Sequence, residues 1–129
     1  MALRKQFHFR PSKHGYFAWD VELLIHLSES LPVKKISLEK IRELDEPYWY
    51  GDPKKNVPTV RSIFKHVQLM TESDLSFPII LSSDGRVMDG MHRVLKALVN
   101  GFNAIDGVQF EIDPKPQHTD VYPEQLDYN

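Results

Sequence analysis

Apolar residues recur at helical spacing in two long segments of the chain. The first segment follows Asp20, a good N-cap residue, and ends before Pro32; its apolar positions are Val21, Leu24, Ile25, Leu27 and Leu31. The second covers residues 57–70, and the face expected to point inward contains Val60, Ile63, Phe64, Val67 and either Leu69 or Met70. Three polar residues of this helix, which are either solvated or close to a bound phosphate, are Arg61, Lys65 and His66.

Shorter apolar runs predict strands. Residues 79–81 and 87–88 are apolar and flank the turn 83–85, whose Asp-Gly pair is a good local signal for a hairpin. Residues 104–112 alternate between apolar and polar positions, as a half-buried strand does. Residues 33–44 are typical of a strand followed by a short helix. This mixture of helices and strands is compatible with a small α+β domain.

The length and composition of the chain fit one globular domain. It has 129 residues, of which 41% are hydrophobic and 26% charged, as in ordinary globular proteins with a core of their own. Residues 1–15 are polar and mixed, and we expect them to form an extended arm that, with the first helix, makes up residues 1–32. Residues 113–129 form a polar tail that we expect to fold back over the body.

The most informative segment is Asp89-Gly90-Met91-His92-Arg93, at the expected start of a third helix. Asp89 is a candidate N-cap, and Gly90 permits the sharp turn out of the preceding strand. Unpaired N–H groups and the helix dipole attract anions at such a position. The dipole disfavours the cations His92 and Arg93 there by about 0.3 to 1 kcal/mol unless an anion is close. The segment is therefore a candidate anion site.

Two interpretations of this segment are open from the residues alone. In the first, the glycine, the free N–H groups and Arg93 form a phosphate cradle, because an arginine can hold a phosphate with two hydrogen bonds. In the second, Arg93 pairs with Asp89 or another carboxylate, and His92 is merely solvated. A five-residue motif by itself has many false positives, so spacing does not choose between them.

An acidic and aromatic loop follows the short helix. Its aromatic residues can stack on a nucleotide base or fill a small core; they are Tyr48, Trp49 and Tyr50. Its carboxylates can bind Mg²⁺ beside phosphates, act as a base, or simply form turns; they are Asp45, Glu46 and Asp52.

Residues 78–81, 84–87, 89–93 and 96–98 together resemble the short ParB-like domains of the ParB/sulfiredoxin superfamily. In that superfamily, a box of glycine, any residue, histidine or arginine, and arginine opens a helix. Its better-known members bind nucleotide phosphates through this box: CTP-hydrolysing partition proteins, ATP-using sulfiredoxins and ADP-dependent serine kinases. Residues 36–44 resemble the opening strand and short helix of such domains.

The resemblance implies a single ParB-like domain over residues 1–129, an α+β fold in which a small mixed β-sheet of about four or five strands is flanked by helices. It implies binding of a nucleotide such as ATP, ADP or CTP with Mg²⁺, through Asp89, Gly90, Met91, His92 and Arg93. In the serine kinases an acidic residue after the first short helix has the place of a general base. Asp45 and Glu46 lie in a comparable position and are the candidate catalytic residues. We predict no metal site built from the protein alone.

Departures from the superfamily limit the activities that can be expected. The chain contains no cysteine, which excludes sulfinic acid reduction by the sulfiredoxin route as well as disulfides and thiolate metal sites. The later metal motif of the partition proteins is not recognisable. The residues after Ile112 are too few for their helix-turn-helix domain.

Charge and hydropathy argue against two classes of partner. Sixteen Lys and Arg residues against 18 Asp and Glu residues give a net charge of −2, so no general positive field attracts DNA. No apolar run approaches the length of a membrane span, and the first residues lack the apolar core of a signal peptide. We therefore expect a cytoplasmic protein without a membrane partner.

Three function hypotheses follow. The first is a nucleotide-binding domain, with a phosphotransferase or hydrolase activity if a carboxylate acts on the bound phosphates. The second is a non-enzymatic module that senses a nucleotide or binds a protein partner. The third is DNA binding or nuclease action, which the net charge and the missing helix-turn-helix disfavour.

Overall fold

The computed structural model of the chain describes residues 5–52 and 54–129, which form seven strands, three α-helices and three 3-10 turns. In chain order the strands and α-helices are β1 (Phe7–Ser12), β2 (Gly15–Asp20), α1 (Val21–Ser28), β3 (Lys34–Ser37), α2 (Val60–Glu72), β4 (Ile79–Leu81), β5 (Val87–Asp89), α3 (Met91–Val99), β6 (Ala104–Gln109) and β7 (His118–Val121). The 3-10 turns are Leu38–Lys40, Arg42–Asp45 and Pro123–Gln125. The α+β class expected from the sequence is confirmed.

The central sheet has four strands in the order β3-β6-β4-β5. β4 runs parallel to β6, with Ile79 opposite Gly107, whereas the other two pairs are antiparallel. A parallel pair needs a long crossover, and the crossover here consists of β5 and α3. The predicted hairpin between β4 and β5 is confirmed and turns at Gly85, whose φ of 84° lies in the left-handed region. The sheet is thus mixed, as expected.

Residues 7–20 form a hairpin, which corrects the extended arm expected for residues 1–15. β1 and β2 pair antiparallel along their whole length, and β7 pairs with the other side of β2 to complete a three-stranded sheet. The tail that contains β7 folds back over the body as expected, and the indole N–H of Trp19 donates to the carbonyl of Pro114 at 2.8 Å. Residues 1–4 of the expected arm lie outside the described residues.

The hairpin was hard to predict because the polar face of β1 is the one that points to the central sheet. Side chains alternate along a strand, so His8 and Arg10 share one face and Phe7 and Phe9 share the other. Arg10 donates at 2.7 Å to the hydroxyl of Ser82, which follows β4 of the central sheet. The alternation of Phe7 and Phe9 with polar residues therefore indicates the wrong face as the inward one.

Two clusters of buried apolar side chains lie on opposite faces of the central sheet. β4 contributes to both, because Ile79 and Leu81 point to one face and Ile80 to the other. The first cluster lies under α3 and the 3-10 turns, and its remaining members are Leu38, Ile41, Val87, Met91, Val94, Ala97 and Ile105. The second lies under α1 and β2, and its remaining members are Trp19, Leu24, Met88, Val108 and Phe110.

α1 and α2 match the two helices predicted from hydrophobic spacing, with shifted ends. A carboxylate oxygen of Asp20 accepts from the backbone N–H of Glu22 at 3.0 Å, which confirms the predicted cap of α1. α1 ends at Ser28 rather than at Leu31. Within the described residues, no helix has both the length and the apolar character that crossing a bilayer requires.

The inward face predicted for α2 is wrong except at Met70, the second of the two alternatives given for its last position. Val60 is 85% exposed and Phe64 is 61% exposed, and the other apolar side chains on the surface of this helix are Ile63, Val67 and Leu69. The less exposed side chains, four residues apart on one face, are Ser62, His66 and Met70. The hydrophobic spacing therefore predicted the helix correctly but not the face by which it contacts the rest of the chain.

Candidate functional site

Gly90 is the N-cap of α3 and has a left-handed backbone with φ 109° and ψ 22°. A Cβ at this position would lie 2.7 Å from Cγ2 of Ile79, so both the backbone and the available space require glycine. The first turn contains no acidic side chain, and no side chain among the described residues bonds to the amides of residues 91–93. These N–H groups and the positive end of the helix dipole are available to an anion.

Asp89 does not cap α3 as the sequence predicts; it forms an ion pair with Arg93. Nη2 of Arg93 lies 2.7 Å from Oδ2 of Asp89, and the two side chains are only 14% and 19% exposed. Nη1 of Arg93 donates to the carbonyl oxygens of Phe77 and Pro78, each at 2.9 Å. The guanidinium therefore joins the start of α3 to the segment before β4, as the second interpretation of this motif has it.

His92 is packed, not solvated. Its Nε2 lies 2.9 Å from Nδ1 of His66 on α2, and the two rings are nearly parallel. The indole of Trp49 stacks on both imidazoles, with centroid distances of 4.1 Å to His66 and 4.7 Å to His92. Sequence reasoning placed His66 near the site but gave no signal of this pairing, because the two histidines are 26 residues apart.

Both imidazoles resist protonation. Burial, and then the proximity of His66, lower the pKa of His92 to about 4, and burial also lowers the pKa of His66. Each ring is therefore neutral at pH 7, and one can donate to the other. This neutral pair fixes α2 against the start of α3 and adds no positive charge for a phosphate.

The aromatic loop packs inward through Trp49. Besides the two histidines, Trp49 contacts the apolar cluster under α3. Tyr50 contacts His66 edge-on, with centroids 5.8 Å apart, and its hydroxyl lies 3.1 Å from that of Ser62. Of the two interpretations of this loop, packing describes Trp49 and Tyr50. Tyr48, at 6.0 Å from Trp49, lies instead at the edge of a cleft.

Of the two predicted catalytic carboxylates, Glu46 is held in an ion pair with Arg86. Nη1 of Arg86 lies 2.5 and 2.6 Å from the two carboxylate oxygens of Glu46, and this contact raises the pKa of Arg86. Asp45 is exposed at the end of a 3-10 turn. Asp52 accepts from the backbone N–H of Lys54 at 2.9 Å, as a turn residue does.

Glu43, which sequence reasoning did not single out, is the buried acid of this region. It is 4% exposed, and its Oε2 accepts from the backbone N–H of Val87 at 2.5 Å. Its Oε1 is buried and has no hydrogen-bond partner among the described residues. The regular short helix expected over residues 38–44 gives no reason to predict that the side chain of Glu43 is buried. The break into two 3-10 turns at Ile41 changes which side chains point inward.

A polar cleft of about 440 Å³ separates the hairpin from the turn between β4 and β5. The side chains that give it its charge and polarity are His8, Arg10, Glu43, Glu46, Tyr48, Asp84 and Arg86. Arg10 lies 3.6 Å from the carboxylate of Asp84 and donates to Nε2 of His8 at 3.1 Å. Burial and the charge of Arg10 lower the pKa of His8 to about 4. Desolvation, and then the charges of Glu43 and Asp89, raise the pKa of Tyr48 to about 12.

An apolar groove of about 470 Å³ lies on the other side of Asp89. Its walls come from α1, the strands β4 and β6, and the segments before β3 and β4; the apolar residues among them are Ile25, Leu31, Val33, Phe77, Pro78, Ile80 and Val108. Asp89 and Arg93 also line this groove. The start of α3 thus borders an apolar groove through Asp89 and Arg93.

No protein-family model, no curated protein and no solved structure matches this chain. The resemblance to ParB-like domains therefore stays a prediction from the residues. Among residues 5–52 and 54–129, no three His, Asp or Glu side chains lie together in a way that could hold a metal ion.

Proposed function

We propose that this chain is a nucleotide-binding domain, in which the phosphates lie at the start of α3 and the base lies in the apolar groove. The observation that supports this is the meeting of the two features: Asp89 and Arg93 frame the start of the helix and also line the groove. Free N–H groups at a helix start bind phosphate, and largely apolar grooves of about 300 to 1,000 Å³ suit small ligands.

Arg93 has a positioning role in this proposal. Its guanidinium is held by Asp89 and by the carbonyl oxygens of Phe77 and Pro78. The phosphate contacts come instead from the backbone N–H groups of Met91, His92 and Arg93. Arg93 keeps these groups in place and adds a positive charge beside them.

The geometry favours binding over a phosphotransfer or hydrolysis reaction. Such a reaction needs a base that can reach the attacking hydroxyl or water. Of the two predicted candidates, Glu46 is neutralised by Arg86, and Asp45 lies exposed at the end of a turn. The candidate ligands are ATP, ADP and CTP with Mg²⁺. We also propose that the protein acts in the cytoplasm.

Calorimetric titration with ATP, ADP, CTP, GTP and inorganic phosphate, each with and without Mg²⁺, tests the proposal. Phe77 is an exposed wall of the groove, so Phe77→Ala leaves the core intact. We expect this variant to bind the preferred nucleotide about fivefold more weakly, since part of an aromatic contact is lost. Its affinity for inorganic phosphate should be unchanged. Ile112→Ala, a matched apolar truncation at an exposed site outside the groove, should behave as the wild type.

NMR spectra of the same samples locate the phosphates. A bound nucleotide should shift the amide signals of residues 91–93 more than those of the three-stranded sheet. The proposal fails if no nucleotide binds the folded wild type, or if Phe77→Ala and Ile112→Ala weaken binding equally. Arg93→Ala is expected to lose binding, but its unfolding curve must be measured beside it because the ion pair with Asp89 is lost too.

A protein-interaction module is the second candidate, because α2 exposes a row of apolar side chains. Val60 and Phe64 are the most exposed of them, and contiguous apolar surface often marks a protein interface. Light scattering over a range of concentrations tests whether a second copy of the chain covers this face. Phe64→Ser should then abolish the dimer, whereas Ile112→Ser should not. A wild type that stays monomeric at every concentration would exclude a homodimer.

A further inference from the structure

We propose that the polar cleft binds a small molecule with an ammonium group, and that Glu43 is the residue that holds this group. Oε2 of Glu43 is already bonded to the backbone N–H of Val87, whereas Oε1 is buried without a partner among the described residues. A buried carboxylate oxygen that lacks a donor costs about 1 to 3 kcal/mol or more, so such an atom calls for an explanation. Glu43 lines the cleft, and a ligand that displaces the groups covering Oε1 can supply the missing donor.

The charges of the cleft favour a cation as the ligand. Glu46 is paired with Arg86, and Asp84 lies 3.6 Å from Arg10. Glu43 has no ion-pair partner among the described residues. The three carboxylates that line the cleft therefore outnumber its two guanidinium groups by one, and Glu43 is the most buried of the three. A phosphate or carboxylate ligand would add to this imbalance.

Hydrogen bonding to Glu46, and to a smaller extent the nearby charge of Glu43, raise the pKa of Arg86, but the side-chain hydrogen bonds of Arg86 go to Glu46. His8 accepts a hydrogen bond from Arg10, so its Nε2 carries no proton and the ring is neutral. The phenol of Tyr48 keeps its proton at neutral pH because its pKa is raised. Among the described residues, no group of three acidic or histidine side chains forms a metal site. An ammonium group, which has three N–H donors and a compact charge, matches both the unpaired oxygen and the unbalanced charge.

This inference is independent of the proposed nucleotide site. The cleft lies between the hairpin of β1 and β2 and the turn between β4 and β5. It shares no lining residue with the apolar groove. Its volume of about 440 Å³ suits a small molecule rather than a macromolecular segment. The test below therefore contains no nucleotide, and it can succeed or fail whatever the outcome at α3.

The experiment is an NMR titration with 1,4-diaminobutane, and succinate is the oppositely charged probe of the same length. The reporter is the backbone amide of Val87, because its hydrogen donates to Glu43. We expect the diamine to shift this signal in a saturable way and succinate to leave it unchanged. Glu43→Gln keeps the shape of the side chain and an acceptor for the N–H of Val87. It should weaken the binding of the diamine at least about tenfold, since a charged hydrogen bond is lost. Glu39→Gln removes the same charge at an exposed site outside the cleft and should bind as the wild type.

Three results would overturn the inference. The first is a wild-type Val87 signal that the diamine does not shift. The second is an equal response to succinate. The third is a Glu43→Gln variant that binds the diamine as tightly as Glu39→Gln does. If Glu43→Gln does not fold, the inference is still tested by comparing how the diamine and succinate shift the Val87 signal of the wild type.

Discussion

Nδ1 of His66 and Nε2 of His92 lie 2.9 Å apart, and the indole of Trp49 stacks on both rings. A hydrogen bond between two imidazoles needs one ring nitrogen without a proton. Protonation of both rings would remove the acceptor and bring two positive charges together. The contact between α2 and the start of α3 is therefore sensitive to pH.

The free energy of unfolding should decrease as the pH falls from about 6.5 to about 4. In the unfolded chain His92 binds a proton near the ordinary histidine pKa of 6.5, whereas in the folded protein its pKa is about 4. The unfolded state then holds more protons in this window, so acid favours unfolding, and this effect is complete below the folded pKa. His8 acts in the same direction, since its pKa is also lowered to about 4. Urea unfolding at pH 7, 6, 5 and 4 measures the decrease; equal midpoints at pH 7 and 5 would contradict it.

Trp49→Leu should raise the pKa of His92 back toward 6.5. Burial is the largest cause of the low value, and the stacked indole covers the ring. The imidazole C–H signals of His92, followed by NMR from pH 8 to pH 4, report the pKa directly. Should the variant titrate as the wild type does, contacts other than the indole set the low pKa.

Gly90→Ala should destabilise the protein by about 2 to 4 kcal/mol, the sum of a strained backbone and a clash with Ile79. Gly85→Ala is the matched control, because Gly85 also has a positive φ but a Cβ there meets nothing within 4 Å. It should cost only about 1 to 2 kcal/mol, from backbone strain alone. Denaturant unfolding of the three proteins gives both values. Equal losses would show that the contact with Ile79 relaxes freely.

Local sequence signals predicted the elements around the site well. The turn at Gly85, the start of α3 at Gly90 and the cap at Asp20 each depend on residues within a few positions of one another. Glycines at positive φ and caps are local features with known residue preferences, and so they can be read from a short window.

Long-range partners could not be predicted in the same way. The local pairing of Arg93 with Asp89 is one of the two interpretations of the motif, whereas its bonds to the carbonyl oxygens of Phe77 and Pro78 span 16 and 15 positions. The pairing of His66 with His92 spans 26 positions, and Glu43 bonds to a backbone group 44 positions away. The helical period of α2 shows an apolar face but does not say whether another element covers it.

The ion pair of Arg93 with Asp89 should show a coupling energy above about 1 kcal/mol in a double-mutant cycle, because both side chains are largely buried. The cycle uses Arg93→Ala, Asp89→Ala and the double variant. Lys35 and Asp106 form an exposed pair at 2.7 Å and supply the control, with an expected coupling below about 1 kcal/mol. Unfolding free energies at low and high salt complete the test. A coupling that salt removes equally from both pairs would contradict the difference in burial.

Arg10→Ala should loosen the hairpin of β1 and β2 from the central sheet without unfolding that sheet. Arg10 donates to the hydroxyl of Ser82 at 2.7 Å and lies 3.6 Å from the carboxylate of Asp84, so it joins β1 to the turn after β4. Loss of these bonds should cost about 1 to 3 kcal/mol, most of it as local opening. Hydrogen exchange should therefore become faster at the amides of β1 and β2 than at those of β4 and β6. Lys13→Ala, at the exposed end of the same hairpin, should leave exchange unchanged. If the amide hydrogens of both sheets exchanged faster to the same extent in Arg10→Ala, the hairpin and the central sheet would unfold as one cooperative unit.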